Sequence, residues 1–177
     1  MPGGSQRFYT SSILMPSALS ITLIGFNVTL EVGQMVSVYD VPADQLIAKV
    51  AVKLKGMDSI KAPDWAEFAR TGRHTEKAPV QDDWWYTRTA AVLRKIYTKG
   101  PMGSEHLAAE YGGFSDRGSK PNKAVKGSRS IARKTLIQLE SSGLVIKNGK
   151  KGRMISAKGQ AILDGVAKEV YDEINKV

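Results

Sequence analysis

Cysteine is absent from all 177 residues, which excludes a disulfide framework and a thiolate-bound metal. Histidine is nearly absent. His74 and His106 have no second histidine or cysteine at ligand spacing, so a metal site would have to be assembled from unrelated carboxylates. Neither a metal nor another cofactor is expected. Long apolar runs are missing too: Ile13 to Val32 is rich in Ile, Leu, Val and Thr, but Pro16, Gly25 and Asn27 break it up. It does not read as a membrane span, and no membrane partner is expected. With a single arginine ahead of it and no evident small-residue cleavage site, it is also a poor signal peptide.

Charge is the next absence, and it divides the chain. Residues 1–36 hold only Arg7 and Glu31, whereas residues 37–177 hold 25 basic and 16 acidic side chains. Residues 1–36 are therefore read as a low-charge N-terminal extension, strand-prone or disordered, and residues 37–177 as one domain. Met35 directly precedes the charged part and is a plausible alternative initiator, in which case residues 1–34 are dispensable and arise from the choice of start site. The whole chain carries +9, with a pI near 9.7, which favours a polyanionic partner.

From Val38 onward the apolar residues recur with helical period. Asp40 as a cap, Pro42 and Asp44 precede Leu46, Ile47, Val50, Ala51 and Leu54 on one face, a first helix that ends at Gly56. Lys49 and Lys53 lie on its polar side, where solvent or phosphate could meet them. Pro63 to Ala69 is expected as a short second helix that turns Trp65 and Phe68 to one neighbour, followed by a polar link to Pro79. The pair Asp82-Asp83 fits the positive end of a long helix from Trp84 to Thr98. Capping explains two adjacent acids there better than acid–base chemistry does. At 100° per residue, Trp85, Thr89, Val92, Leu93, Ile96 and Tyr97 form the core arc, with Tyr86 at its edge. Trp84, Arg88, Ala91 and Lys95 form a separate stripe. There Trp84 either stacks with Arg88 or an RNA base, or packs on the short second helix.

Beyond Gly100-Pro101, Ser104 is read as the cap of a short helix from Glu105 to Tyr111, and Ser128 as the cap of a helix from Arg129 to about Ser142. The second helix turns Ile131, Ala132, Thr135, Leu136 and Leu139 inward and Arg129, Arg133 and Lys134 outward. Residues 144–156 read as strand, basic Asn-Gly turn and strand. A last helix from Ala157 turns Ile162, Leu163, Val166, Val170 and Ile174 inward. The order predicts a mainly α fold: an amphipathic helical bundle with a winged-helix-like module, about 83–177, and a β-hairpin wing. The sixteen-residue link from Gly112 to Gly127 carries Arg117, Lys120, Lys123 and Lys126, and is expected to gain order when phosphates surround it.

Between Arg117 and Lys158 there are twelve basic residues and one acid, Glu140, a net of +11 over forty-two residues. Solvated surfaces mix signs, so this imbalance points to a phosphate surface. The candidate RNA-binding residues are Trp84, Arg88, Arg94, Arg117, Lys120, Lys123, Lys126, Arg129, Arg133, Lys134, Lys150, Lys151, Arg153 and Lys158. No catalytic set stands beside them. His106 and Glu110, four apart on a helix, make a surface pair. Gly149-Lys150-Lys151-Gly152 lacks the spacing and the Ser or Thr of a phosphate-binding loop. Ser128 and Ser130 have no histidine partner and are explained by capping. Neither an enzyme activity nor a small-molecule substrate is expected.

The runs Asp83-Trp84-Trp85-Tyr86-Thr87-Arg88-Thr89-Ala90, Tyr111-Gly112-Gly113, Lys126-Gly127-Ser128-Arg129-Ser130-Ile131-Ala132-Arg133-Lys134 and Ser156-Ala157-Lys158-Gly159-Gln160 resemble the S-nineteen-e ribosomal proteins of archaea and eukaryotes. The resemblance covers about Val38 to Val177, and its opening, Val38 to Asp44, is archaeal in style. It implies a helical bundle on ribosomal RNA in the head of the small subunit, beside other ribosomal proteins in the cytoplasm, and a part in maturation of that subunit. By matching motif it also implies roles for Trp84, Arg88 and Arg94 in the long helix, for Arg129, Arg133 and Lys134, and for Gly159 at the start of the last helix. A DNA-binding winged-helix regulator is the competing class. It would need a dimerisation element, which is not evident, and a turn before Arg129 much shorter than sixteen residues. An assembly factor that leaves before translation would use the same surface.

Overall fold

The computed structural model describes residues 36–175, so the expected extension lies outside the described residues apart from Val36. Helix α1 (Ala43–Lys55) forms where Leu46, Val50, Ala51 and Leu54 repeat on one face, and all four are buried. Asp44 in its first turn and Lys53 and Lys55 in its last complement the helix dipole. Asp40 does not cap it. Pro42 takes the cap position, and the Asp40 carboxylate instead accepts from the backbone N–H (2.8 Å) and hydroxyl (2.9 Å) of Ser37, closing the turn ahead of the helix.

The expected second helix is only a 3-10 turn, Asp64–Glu67. It stops one residue short of Phe68, which is left 83% exposed, while Trp65 sets its ring edge-on to Trp85 at 5.7 Å. Helix α2 (Trp84–Lys99) is the central element and has the predicted phase: Trp85, Thr89, Val92, Leu93 and Ile96 are buried. Asp83 stands at its cap position without capping, because its carboxylate reaches across to the Lys55 ammonium at 2.8 Å. Helix α3 (Ser104–Glu110) has Gly103, not Ser104, at its cap, and no side-chain cap bond.

The link 112–127 is a β-hairpin rather than a loop awaiting phosphate. Strands β1 (Gly113–Arg117) and β2 (Lys120–Val125) pair antiparallel, with Phe114 opposite Ala124 and a register shift between Ser115 and Arg117. The turn is built by Gly118, at φ 67°, whose N–H donates to Asp116 Oδ1 at 2.9 Å. Helix α4 (Arg129–Ser141) follows, capped as expected by the Ser128 hydroxyl, which accepts from the Ile131 N–H.

A second hairpin joins β3 (Val145–Asn148) to β4 (Gly152–Ile155) through a 3-10 turn at Gly149–Lys151. It is clasped to the segment between α2 and α3: Met102 N–H donates to Arg153 O at 2.9 Å, and Arg153 N–H to Met102 O at 3.0 Å. Helix α5 (Ala157–Asn175) returns along α1. Ser156 precedes it and accepts from the Gly159 N–H at 3.1 Å. The apolar face of α5 holds Leu163, Val166, Ala167 and Val170, but Ile174 in the last turn is 43% exposed rather than inward.

One core unites α1, α2, α4 and α5, through Leu46, Leu54, Leu93, Ile96, Leu136, Leu139, Leu163 and Val166. A smaller cluster, Ala66, Trp84, Trp85 and Ile131, lies under the 3-10 turn. The fold is therefore mainly α, with two small antiparallel hairpins.

Candidate nucleic-acid interface

Helix α4 buries Ile131, Ala132, Thr135, Leu136 and Leu139 and leaves Arg129, Arg133 and Lys134 exposed, as its period requires. Arg117, Lys120 and Lys123 are exposed on the first hairpin, Lys150 and Lys151 on the tip of the second, and Lys158 in the opening turn of α5. Lys126, also exposed, leads into α4 and pairs with Glu105 of α3 at 2.7 Å.

The other candidates are built into the fold. Trp84 is only 8% exposed and crosses Trp85 edge-on at 5.4 Å, beside Ala66 and Ile131. The Arg88 guanidinium lies 4.1 Å above the Tyr111 ring. Burial pulls Arg88 below its ordinary pKa and pushes the Tyr111 phenol up to about 12. Trp84, Arg88 and Tyr111 line a cleft of about 650 Å³ between α1 and α2. Arg94 is half-buried, with its Nε enclosed. Arg153 turns inward, and its Nε donates to Glu140 Oε2 at 2.7 Å.

Pairing separates the lysines of α1 and α2 from the cations of α4 and the hairpins. Lys49 and Lys53, left open between phosphate and solvent by sequence, are held by Glu173 and Glu169 of α5. Lys55 pairs with Asp83, and both Lys95 and Lys99 with Glu110. Those two lysines hold the Glu110 carboxyl at about 2, and Glu110 meets them rather than His106. Among the described residues, ion pairs take only Lys126 and Arg153 from the basic run 117–158. The three lysines of α1 each meet a carboxylate and the two lysines of α2 share one, whereas most cations on α4 and the hairpins have no such partner among the described residues.

Two further cations join this surface that sequence reasoning passed over as part of a polar link. Arg70 and Arg73 line a second cleft, of about 560 Å³, with Lys126 and Arg129. Their flanking of Thr71-Gly72 was the available signal, but nothing local shows where the segment docks. Among the described residues no three His, Cys, Asp or Glu side chains gather as a metal set, and no helix is long and apolar enough to cross a membrane.

The chain is a mainly helical protein with two small hairpins, and most exposed cations of α4 and those hairpins lack carboxylate partners among the described residues. Its family follows from comparison. Residues 37–173 match the model of ribosomal protein S19e. The chain is 49% identical over 140 residues to the small ribosomal subunit protein eS19 of Thermoplasma volcanium, covering 79% of this chain and 93% of that protein. It is 46% identical over 144 residues to eS19 of Aeropyrum pernix, covering 80% and 94% respectively. Against eS19A of Schizosaccharomyces pombe the identity is 39% over 138 residues, covering 78% and 96%. The chain belongs to the ribosomal protein S19e family, whose members are ribosomal proteins and not enzymes.

Proposed function

We propose that this protein is a structural constituent of the small ribosomal subunit, held on ribosomal RNA in the subunit head by α4 and the two hairpins, and needed for maturation of that subunit in the cytoplasm. The observation that carries the reading is the pairing contrast. Lys49, Lys53, Lys95 and Lys99 are matched with carboxylates across α1, α2, α3 and α5, but Arg117, Lys120, Lys123, Arg129, Arg133 and Lys134 are left without such partners in the described residues. Unpaired charge on a rigid helix and two hairpins suits a folded RNA recognised by shape, because phosphate contacts fix orientation without reading sequence. Helices α2, α3 and α4 with the clasped second hairpin make a winged-helix-like arrangement in this reading, with Lys150 and Lys151 at the wing tip. Trp84 and Arg88 act by fixing α2 against the 3-10 turn and Tyr111, and neighbouring ribosomal proteins cover other faces.

The test is salt dependence. Replacing Arg129, Arg133 and Lys134 by Ala should weaken binding to small-subunit RNA and flatten the slope of log K against log salt by about 0.7 to 0.9 per lost contact. An unchanged slope rejects α4 as the contact surface. Sedimentation in high salt separates the alternatives: a subunit protein stays with mature small subunits, an assembly factor only with precursors, and a DNA-binding regulator with neither.

A further inference from the structure

The cleft at the entrance of α4 is made by two distant segments drawn together. Gly72 and Gly127 form an isolated antiparallel bridge, and the Ser128 N–H donates to Thr71 O at 2.9 Å. Gly127 is held tightly by the end of α3, and at Gly72 a Cβ would stand 3.1 Å from Gly127 Cα across the bridge. A Cβ at Gly127 would come within 2.5 Å of the Tyr111 carbonyl oxygen, and one at Gly72 within 2.6 Å of the His74 ring. The bridge sets Arg70 and Arg73 beside Lys126 and Arg129, so four cations share one cleft of about 560 Å³. The single carboxylate there is Glu105, whose Oε1 accepts from Lys126 Nζ at 2.7 Å.

Four positive side chains against one negative leave a net of +3 at a concave surface, where field lines concentrate and an anion gains most. Planar guanidinium groups match the paired oxygens of a phosphodiester. Lys126, and then Arg129, pull Glu105 below its ordinary pKa, so it is ionised at neutral pH. Its position on that ammonium is where a phosphate oxygen would otherwise sit.

We infer that this cleft is a phosphodiester-binding subsite, formed by Arg70, Arg73, Lys126 and Arg129, in which Glu105 occupies Lys126 until an RNA phosphate displaces it. The inference rests on the RNA-binding reading and adds two contacts, Arg70 and Arg73, together with an internal competitor. Glu105 makes the cleft selective: weakly bound anions must compete with a tethered carboxylate, whereas an RNA held at many other points displaces it.

The experiment measures binding of the full chain to transcribed small-subunit RNA across a salt series, with thermal melts to verify folding. Arg70→Ala with Arg73→Ala should lower the slope by about 1.4 to 1.8, two phosphate contacts' worth. Arg70→Lys with Arg73→Lys should restore most of it. Glu105→Gln should tighten binding several-fold, which a purely structural ion pair would not do. Millimolar inorganic phosphate should leave RNA binding intact, since a free ion lacks the other contacts. Competition by free phosphate would overturn the assignment to RNA. If the α4 triple substitution flattens the slope but the Arg70 and Arg73 variant does not, the subsite is wrong and the RNA reading stands; that result is also expected if an acidic protein tail fills the cleft. If neither flattens it, both fall.

Discussion

Trp85 and Gln138 are joined by a hydrogen bond of 2.9 Å from the indole Nε1 to the amide oxygen, and the Gln138 amide nitrogen donates onward to Lys61 O at 2.6 Å. One side chain thereby ties α2, α4 and the segment after α1 around a fully buried indole. Trp85→Ala should cost about 3 to 5 kcal/mol in urea unfolding. Trp85→Phe keeps most of the packing and loses the hydrogen bond, for roughly 1 kcal/mol. A melting temperature equal to the parent's for the Ala variant would show that α2 is rotated from the phase described.

Two glycines in α5 should respond in opposite directions. A Cβ at Gly159 would run into the Leu144 carbonyl oxygen, so Gly159→Ala should destabilise by about 1 to 3 kcal/mol. Gly165 is exposed, has nothing within 4 Å of a built Cβ and lies in mid-helix, so Gly165→Ala should stabilise by roughly 0.5 to 1 kcal/mol. Equal effects at the two sites would contradict the close packing of α5 against the start of β3.

Arg153 should behave unlike the other candidate contacts. Because its Nε is committed to Glu140 at 2.7 Å, Arg153→Ala is expected to lower the melting temperature with little change in the salt slope for RNA. A partly buried pair of this kind is worth about 1 kcal/mol. A double-mutant cycle with Glu140→Gln measures the coupling, and a fall in slope equal to that of Lys150→Ala would place Arg153 on the phosphate surface after all.

Acid should loosen the contact between α2 and α3. Glu110 is held at about 2 by Lys99 and Lys95, below its ordinary value of 4.5. A carboxylate whose folded pKa is depressed adds stability above its unfolded pKa and loses it as pH falls from about 4.5 to about 2. Urea midpoints should drop through that window, and Glu110→Gln should show a shallower drop. Parallel pH profiles for the two proteins would mean that the lysines do not hold the carboxylate in solution.

The helix phases of α1, α2, α4 and most of α5 were legible because each buries one stripe, and a 3.6-residue period reports that directly. The first hairpin was not. Nearly every residue of β2 is exposed, so no alternation exists to read, and the strands are held by their ladder and by glycines that let their ends tuck against α3. For Trp84 the helical wheel leaves two readings, stacking with Arg88 or a base and packing on the segment after Pro63, and the structure has the second, with Ala66 and Ile131 building a separate buried side. The outward cations of α4 are legible from the same period. Arg70 and Arg73 are not legible because the bridge from Gly72 to Gly127 joins positions 55 apart in sequence, and no local pattern encodes it.

The two hydrogen bonds between Met102 and Arg153 also bear on kinetics. A free hairpin would have to be immobilised each time Lys150 and Lys151 met a polyanion, at an entropic cost that slows capture and weakens it. Tethered next to its turn to the segment ahead of α3, this one would meet the proposed RNA already oriented, so that encounters need only diffusion and charge steering to become productive.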